Sequence, residues 1–390
     1  MIRIIYIILF GLLIQPAFSQ MPFQAVLDSV EINNKILSAG RQMTESQKLN
    51  AKTGIYLANP TVSYDRLNNS AGSYSEMIVS QSFDFPSAYF QKSKIANLTV
   101  SQADEQYRQA KLEIGSELAR VFAEIVYSNR KISILTRRQM IAQQLQTGIE
   151  KRLQTGDANI FETNRVRSEL AKTHSELRIT ENRRNALNLK LSELNGGRPM
   201  EIADTTFTDL PGFTITDTSA NTILTRNPQV RQWETEIQIT EMNINLQRSL
   251  SYPKFEIGYR QDMNTGQNYN GIHAGISIPL FENKNMVRTA KARQMYAMEA
   301  SDAYRLELQS KVSQLIEEYR TVQQSAISIN EVFKTLNTPD LLVKAYKTGQ
   351  ISYTEFFTEY ENYQQMVLYV EDLNLKASAL QLQLYVLSGL

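Results

Sequence analysis

Cysteine and histidine supply many protein metal ligands and catalytic groups, and this chain of 390 residues contains no cysteine and two histidines. The missing thiols exclude disulfides, thiolate metal sites and a thiol nucleophile. His174 and His273 each lack a second histidine or a paired carboxylate at the spacing of a zinc site. No glycine-rich phosphate loop or nucleophile elbow occurs either. We therefore expect no catalytic residue, no metal site and no cofactor, and we interpret the chain as a protein that is not an enzyme.

The twelve methionines are further candidates, because thioether sulfur is a soft metal ligand. They do not cluster along the sequence. Met295 and Met298 lie at helical spacing and are predicted to be packing residues. The charges are also balanced, with 41 Lys and Arg against 40 Asp and Glu, which indicates no nucleic-acid partner.

The first residues predict export. Arg3 precedes an apolar run over residues 4–14, and residues 17–19 provide a small-residue cleavage pattern. We interpret residues 1–19 as a secretory signal peptide, because the apolar run is far shorter than the roughly 20 residues that span a bilayer. No later stretch approaches an apolar run of roughly 18 residues, so contact with a membrane would have to use β-strands.

The ten prolines predict where the helices lie. Residues 87–151 contain no proline and are rich in helix formers, with Leu118, Val121 and Ile125 at coiled-coil spacing. A single helix over this range would be about 98 Å long. Residues 158–194 are predicted to return beside it. Residues 23–57 are also helical in pattern and could stack end to end with the return helix.

Two segments alternate apolar and polar residues with the period of a β-strand. They predict one hairpin over residues 59–86 and another over residues 253–281. Such strands suit a transmembrane barrel with one face toward lipid and one toward a wet lumen, and His273 falls on the lumen side. Four strands cannot close such a barrel, since the smallest has about eight, so several chains must share one.

The pattern of the first half recurs in the second half at a constant offset. Pro253, Pro279 and Thr348-Gly349 lie 193 residues after Pro60, Pro86 and Thr155-Gly156. This duplication divides the chain into a first repeat over residues 20–196, a linker over residues 197–220 and a second repeat over residues 221–390. The second repeat is predicted to hold a helix, its hairpin, a long helix, a turn at residues 344–351 and a return helix.

Two pairs of matching segments carry a likeness to a known family. They are the hairpin ends Phe83-Asp84-Phe85-Pro86 and Ile276-Ser277-Ile278-Pro279-Leu280-Phe281, and the helix turns Arg152-Leu153-Gln154-Thr155-Gly156-Asp157 and Ala345-Tyr346-Lys347-Thr348-Gly349-Gln350. With these segments the chain resembles the TolC family of bacterial outer-membrane efflux proteins over nearly its whole mature length. The general likeness leaves open whether the chain belongs to the heavy-metal or cation efflux branch of that family.

The resemblance implies an α+β membrane fold: a transmembrane β-barrel shared between the protomers of a homotrimer, with four strands from each, above a long coiled-coil-like α-helical barrel. The protein would lie in the outer membrane, in contact with its lipid, and extend into the periplasm. Its function would be that of a passive duct in a tripartite efflux or secretion system. The implied partners are a periplasmic adaptor (membrane fusion) protein and an inner-membrane pump, with the RND type as one candidate.

The resemblance also implies a functional site at the two helix turns. The positions that match the family's adaptor-docking tips are Arg152, Leu153, Gly156, Thr348 and Gly349. The positions that match its entrance gate are Glu355, Glu162 and Tyr346. Thr358 stands where the family has a further acidic residue, and Glu359 beside it is the remaining gate candidate. Glu355 is preferred as part of an acidic ring that favours cations. The family's gate arginine is replaced by Ile351, which leaves open how the entrance closes, and each glutamate could equally be an ordinary solvated helix residue.

Other functions fit parts of the same pattern. A structural or adhesive coiled-coil protein without a pore would explain the helices but not the interposed hairpins. An ordinary soluble sheet packed on helices would explain the strands but not the signal peptide. A periplasmic adaptor is disfavoured by the duplication and by the apparent lack of its β-domains.

Overall fold

The structure is a computed structural model that describes residues 22–69, 72–207, 210, 213–216, 219–264, 267–335 and 339–389. The predicted signal peptide lies outside the described residues. The described chain is mostly helical and has a small antiparallel sheet. None of its helices has both the length and the apolar character needed to cross a membrane.

The elements of the first half are α1 (Phe23–Asn33), α2 (Lys35–Ala51), β1 (Thr61–Asn69), β2 (Gly72–Phe83), α3 (Pro86–Gln154) and α4 (Ile160–Leu194). Those of the second half are α5 (Ser219–Arg226), α6 (Pro228–Ser249), β3 (Lys254–Asn264), β4 (Gln267–Ser277), α7 (Met286–Thr335), α8 (Pro339–Lys347) and α9 (Tyr353–Leu387). Helix α3 packs along α4, α6 and α9, and α7 packs along α6 and α9. The long helices therefore lie side by side as a bundle.

Helix α3 begins at Pro86, where proline is favoured because its fixed φ suits the first helical position and no N–H is needed there. Its 69 residues correspond to a length of about 104 Å. The apolar stripe of Leu118, Val121 and Ile125 is fully buried against neighbouring helices. Burial of this stripe, rather than helix propensity alone, stabilises so long a helix.

The segment over residues 23–57 is not one helix, because it breaks at Asn34. This residue has an extended backbone, and its Oδ1 caps α2 by accepting the Leu37 N–H at 3.0 Å. Its Nδ2 donates to the Leu194 carbonyl at 2.8 Å, which ties the break to the end of α4. Helix α2 then ends at Ala51, and only a 3-10 turn over Thr53–Ile55 follows.

The second long helix starts after a turn at the end of the second hairpin. After β4 the chain passes through a turn in which Asn285 has a positive φ of 67°, so α7 starts at Met286. Helix α7 is described as far as Thr335, and α8 is described from Pro339. Proline is favoured at the first position of a helix, which suits the start of α8.

The described strands form a sheet of order β1-β2-β3-β4 in which all neighbours are antiparallel. Val62, Val79, Tyr259 and Ile272 form one row across the four strands, and Phe83, Phe255 and Ile276 form another row on the same face. The opposite face carries rows such as Thr61, Ser80, Gly258 and His273. Toward the strand ends that join the helices, one face of the sheet is thus apolar and the other is polar, whereas nearer the hairpin turns the first face carries the mixed row Arg66, Ser75, Met263 and Asn268.

The buried side chains form separate clusters along the bundle. One joins α1, α3, α4 and the end of α9, where the Phe23 ring lies 5.3 Å from that of Phe122. A second joins α5, α6, α7 and α9 around Ile223 and Val312. A third lies beside the two helix turns, where α3, α4, α8 and α9 meet. This third cluster positions the residues that the sequence assigned to the tips.

Candidate functional site

Two turns, α3 to α4 and α8 to α9, have the same backbone geometry. Gly156 and Gly349 have φ values of 81° and 73°, a region that L-residues rarely adopt. In the first turn the Asp157 N–H donates to the Arg152 carbonyl at 2.8 Å, and in the second the Gln350 N–H donates to the Ala345 carbonyl at 2.9 Å. These bonds define Schellman motifs that end α3 and α8.

A threonine precedes each glycine and closes the same helix end. The hydroxyl of Thr348 donates back to the Lys344 carbonyl at 3.0 Å, and that of Thr155 donates to the Arg152 carbonyl at 3.1 Å. The Thr155 hydroxyl also lies 2.7 Å from Asp157 Oδ2. The Thr-Gly pairs are therefore structural parts of the turns.

Glu355 and Glu162 occupy equivalent positions in the first turns of α9 and α4. Glu355 forms a capping box: its N–H donates to Ser352 Oγ at 3.2 Å, and its Oε2 accepts the Ser352 N–H at 2.8 Å. Asn159 caps α4 by accepting the Glu162 N–H at 2.9 Å. The Glu355 side chain thus helps to start α9, a role that the sequence assignment did not include, whereas Glu162 contributes its backbone N–H to the cap of α4.

The carboxylate of Glu355 is exposed and keeps its charge. The backbone N–H of Ser352, followed by the Ser352 hydroxyl contact, lowers the pKa of Glu355 below its ordinary value of 4.5. Glu359 lies one helical turn further along α9 and is also exposed. Two acidic side chains are therefore presented by the same stretch of helix, next to the second turn.

Arg152 and Tyr346 link the two turns. Arg152 Nη1 donates to the Tyr346 hydroxyl at 2.7 Å, and Nη2 donates to the Asp157 carbonyl at 2.9 Å. The guanidinium carbon also lies 5.9 Å from the centroid of the Tyr346 ring. A residue assigned to docking and a residue assigned to the gate are thus in direct contact within one chain.

Aromatic residues of α9 pack behind this link. The Tyr346 ring lies 5.3 Å from that of Phe356 and 6.0 Å from that of Tyr353. The Phe356 ring stacks on Tyr360 at 5.6 Å, and burial raises the pKa of Tyr360 to about 12. The sequence analysis missed this group, although its spacing of three and four residues is that of one helix face.

A cation–π contact joins α4 to the same group. The guanidinium of Arg165 lies 4.0 Å from the centroid of the Phe357 ring. Leu153, assigned to the docking tip, is half-buried at the end of α3. The third core cluster therefore fixes the positions of both turns relative to each other.

A cleft of about 440 Å³ opens between the ends of α3, α8 and α9. Its lining includes Leu145, Arg152, Tyr346, Lys347 and Gly349. The cleft combines an apolar floor with two cationic side chains at the rim. It is a groove that suits a protein segment with apolar and acidic side chains.

Neither histidine lines this cleft. His174 is exposed on α4, and His273 is half-buried on the polar face of the sheet. Over the described ranges, no group of three histidine, aspartate or glutamate side chains is arranged to hold a metal ion.

No protein-family model matches this chain, and no curated protein matches its sequence. Solved structures do match its fold. CusC, whose structures concern folding and transmembrane channel formation, matches with a TM-score of 0.77 and 17% identity, over 94% of this chain and 91% of its own. The outer-membrane protein VceC of Vibrio cholerae matches with a TM-score of 0.76 and 14% identity, over 94% and 96%.

The MtrE outer-membrane channel of Neisseria gonorrhoeae matches with a TM-score of 0.70 and 14% identity, over 94% of this chain and 88% of its own. These identities are low, and the likeness establishes the fold alone. That fold is shared with outer-membrane channels over almost the entire described chain.

Proposed function

We propose that this chain is an outer-membrane duct of the TolC family. Three copies form one β-barrel in the lipid and one α-helical tunnel across the periplasm, and substrates pass through it passively within a tripartite efflux or secretion system. The observation that carries this proposal is the sheet, which has one apolar and one polar face over the part of the strands that adjoins the helices. The fold shared with solved outer-membrane channels supports it.

The apolar face is exposed in the single chain. Val62 is 66% exposed, Ile272 87% and Ile276 67%, although all three belong to regular strands. Soluble proteins rarely leave so continuous an apolar surface in water, whereas a barrel in a bilayer requires it. The polar face, which carries Ser80 and His273, then lines the lumen.

The edges of the sheet support the sharing of one barrel. Strands β1 and β4 each have a neighbour on one side only among the described strands. An open edge in lipid leaves backbone N–H and C=O groups without partners, which costs several kcal/mol for each group. Pairing of β1 with β4 of the next copy satisfies both edges, and three copies supply about 12 strands.

The two helix turns are the proposed contact with a periplasmic adaptor. Arg152, Leu153, Gly156, Thr348 and Gly349 lie at the turns, and the adjoining cleft offers an apolar floor with a cationic rim. An inner-membrane pump, for which the RND type is one candidate, supplies the energy of transport. A likeness of fold at 14–17% identity does not select the heavy-metal or cation branch.

We expect the purified protein to produce discrete conductance steps in planar lipid bilayers. The glutamates beside the turns should make the conductance cation-preferring, because three copies bring three Glu355 carboxylates and three Glu359 carboxylates to one constriction. A coiled-coil rod without a lumen would give no conductance steps. That outcome would favour a structural or adhesive protein.

Replacing Glu355 with glutamine should lower the cation-to-anion permeability ratio at least about twofold and weaken block by divalent cations. Glutamine can still reach the backbone N–H of Ser352, so Glu355→Gln removes the charge while keeping the helix cap. Glu299→Gln is the matched control, since Glu299 is exposed on α7 and far from the turns in sequence. An equal effect of both substitutions would contradict a local role of Glu355.

The same measurement has a defined dependence on pH. The lowered pKa of Glu355 means that its charge, and the stabilisation of α9 by the capping box, persist above pH 4.5 and are lost as the pH falls through the still lower folded value. The cation preference should therefore stay constant between pH 8 and about pH 5. A collapse between pH 7 and 6 would assign the selectivity to another group.

A further inference from the structure

The single tryptophan of the chain lies in a cleft away from the turns and the sheet. The cleft lies between α3, α6 and α7 and has a volume of about 500 Å³. This volume falls within the roughly 300–1,000 Å³ that small-ligand sites usually have. The proposed duct function does not use this cleft.

An aromatic pair forms one wall of the cleft. The rings of Trp233 and Tyr296 lie 6.4 Å apart, with an angle of 73° between their planes. Trp233 is half-buried, whereas Tyr296 is 69% exposed. An edge-to-face pair covers at most one ring face, so flat aromatic surface remains open to a ligand.

Several polar side chains around this wall are available for hydrogen bonds with a ligand. Over the described part of the chain, the Trp233 indole N–H, the side-chain amides of Gln229 and Gln232 and the Arg293 guanidinium make no hydrogen bond or ion pair. Each of these groups can still serve a ligand. The cleft thus holds several free donors together with free amide oxygens as acceptors.

Glu236 adds an oriented acceptor. Gln102 Nε2 donates to Glu236 Oε2 at 2.8 Å, which fixes the carboxylate and leaves its other oxygen available. The charges of Glu236 and Arg293 balance, so the cleft has no net charge to attract a phosphate or a bare cation. Its ligand should therefore be neutral overall and rich in groups that both donate and accept.

A pyranose sugar has this chemistry. Its C–H face is apolar and can stack on an aromatic ring, while each hydroxyl can donate one hydrogen bond and accept others. We propose that this cleft binds a pyranose unit of a glycan, with Trp233 as the stacking surface and Gln229, Gln232, Glu236 and Arg293 as partners of the hydroxyl groups.

The tryptophan makes the test direct, because its fluorescence reports on this cleft alone. We expect titration of the detergent-solubilised assembly with triacetylchitotriose to change the tryptophan fluorescence saturably, and calorimetry to give the same Kd. Gln232→Ala should weaken binding about tenfold, as expected for the loss of a hydrogen bond. Trp233→Leu should abolish the binding heat, and Arg293→Ala should weaken it severalfold.

Matched variants give the controls. Gln238→Ala on α6 and Arg288→Ala on α7 remove the same groups from exposed positions outside the cleft, and both should leave the Kd unchanged. The absence of a saturable signal would overturn the proposal, as would an equal response to acetate, which would indicate a simple anion contact with Arg293. Protection of Trp233 from acrylamide quenching in the sugar-free assembly would also overturn it, since another copy would then cover the cleft.

Discussion

Ile272→Arg should lower assembly of the protein in the outer membrane at least about tenfold, whereas His273→Arg at the next position should leave assembly intact. The two residues are neighbours in β4 and differ in the face that they present. Ile272 belongs to the apolar row with Val62 and Tyr259, and His273 belongs to the polar row with Ser80. If the apolar face contacts lipid, only the first substitution places a charge in hydrocarbon.

The size of the effect follows from the depth of Ile272. It is the sixth of the 11 residues of β4 and therefore lies near the middle of the proposed barrel wall. An arginine at the bilayer midplane of a transmembrane barrel costs about 2–4 kcal/mol. Three copies in one barrel multiply this cost, so assembled protein should fall at least tenfold.

The measurement is the amount of protein in washed outer-membrane fractions that migrates as a folded oligomer in unheated gels. Ile272→Val serves as a second control, because it keeps the apolar surface. Normal assembly of Ile272→Arg together with failure of His273→Arg would place the polar face toward lipid. Normal assembly of both variants would show that neither face of the sheet contacts lipid.

Arg138→Met should destabilise each chain by about 3–5 kcal/mol, the usual effect of leaving a buried charge without its partner. Arg138 lies on α3 and is 4% exposed, and its Nε donates to Glu169 Oε1 on α4 at 2.6 Å. The Thr173 hydroxyl donates to the same oxygen at 3.2 Å. Without the arginine, the Glu169 carboxylate stays buried with only this weak support.

Neighbouring residues supply the controls for this substitution. Arg137→Met removes an exposed ion pair with Asp340 of 2.9 Å, which should cost about 0–1 kcal/mol. The double variant Arg138→Met, Glu169→Met should recover most of the loss, because apolar residues can replace a buried ion pair at little cost. The check is chemical unfolding in detergent followed by circular dichroism, and equal losses for Arg137→Met and Arg138→Met would contradict the role of burial.

The parts of the fold with local signals could be predicted from the sequence. Helix α3 was expected over residues 87–151 and spans Pro86–Gln154, because proline and the Thr-Gly pair mark its ends in the sequence itself. The strands were expected from their alternation, and the observed register places alternate residues on the two faces as expected. The trimer and the duplication remain predictions.

The parts that depend on distant contacts could not be predicted. Asn34 breaks the first helix partly because it bonds to the Leu194 carbonyl, 160 residues away. Arg152 and Tyr346 meet although 194 residues separate them, and no local pattern indicates that pair. From the sequence alone, the buried Arg138 cannot be distinguished from its exposed neighbour Arg137, because burial depends on how α3 packs on α4.

The most direct test of a barrel shared by three copies is cross-linking between introduced cysteines. The chain contains no cysteine of its own, so only the introduced thiols can react. Ser63→Cys on β1 and Gly271→Cys on β4 place thiols on the two edge strands, and a side chain at Gly271 meets no atom within 4 Å. Within one chain these strands are three strand spacings apart, about 14 Å, whereas paired strands of neighbouring copies are about 5 Å apart. A bismaleimide whose reach is well below about 14 Å can therefore join only different copies.

We predict that treating the double variant in membranes yields cross-linked dimers and trimers and nothing larger, while each single variant stays monomeric on denaturing gels. Cross-linked species that stop at three would support the shared barrel. A cross-linked series that continues beyond three copies would contradict it.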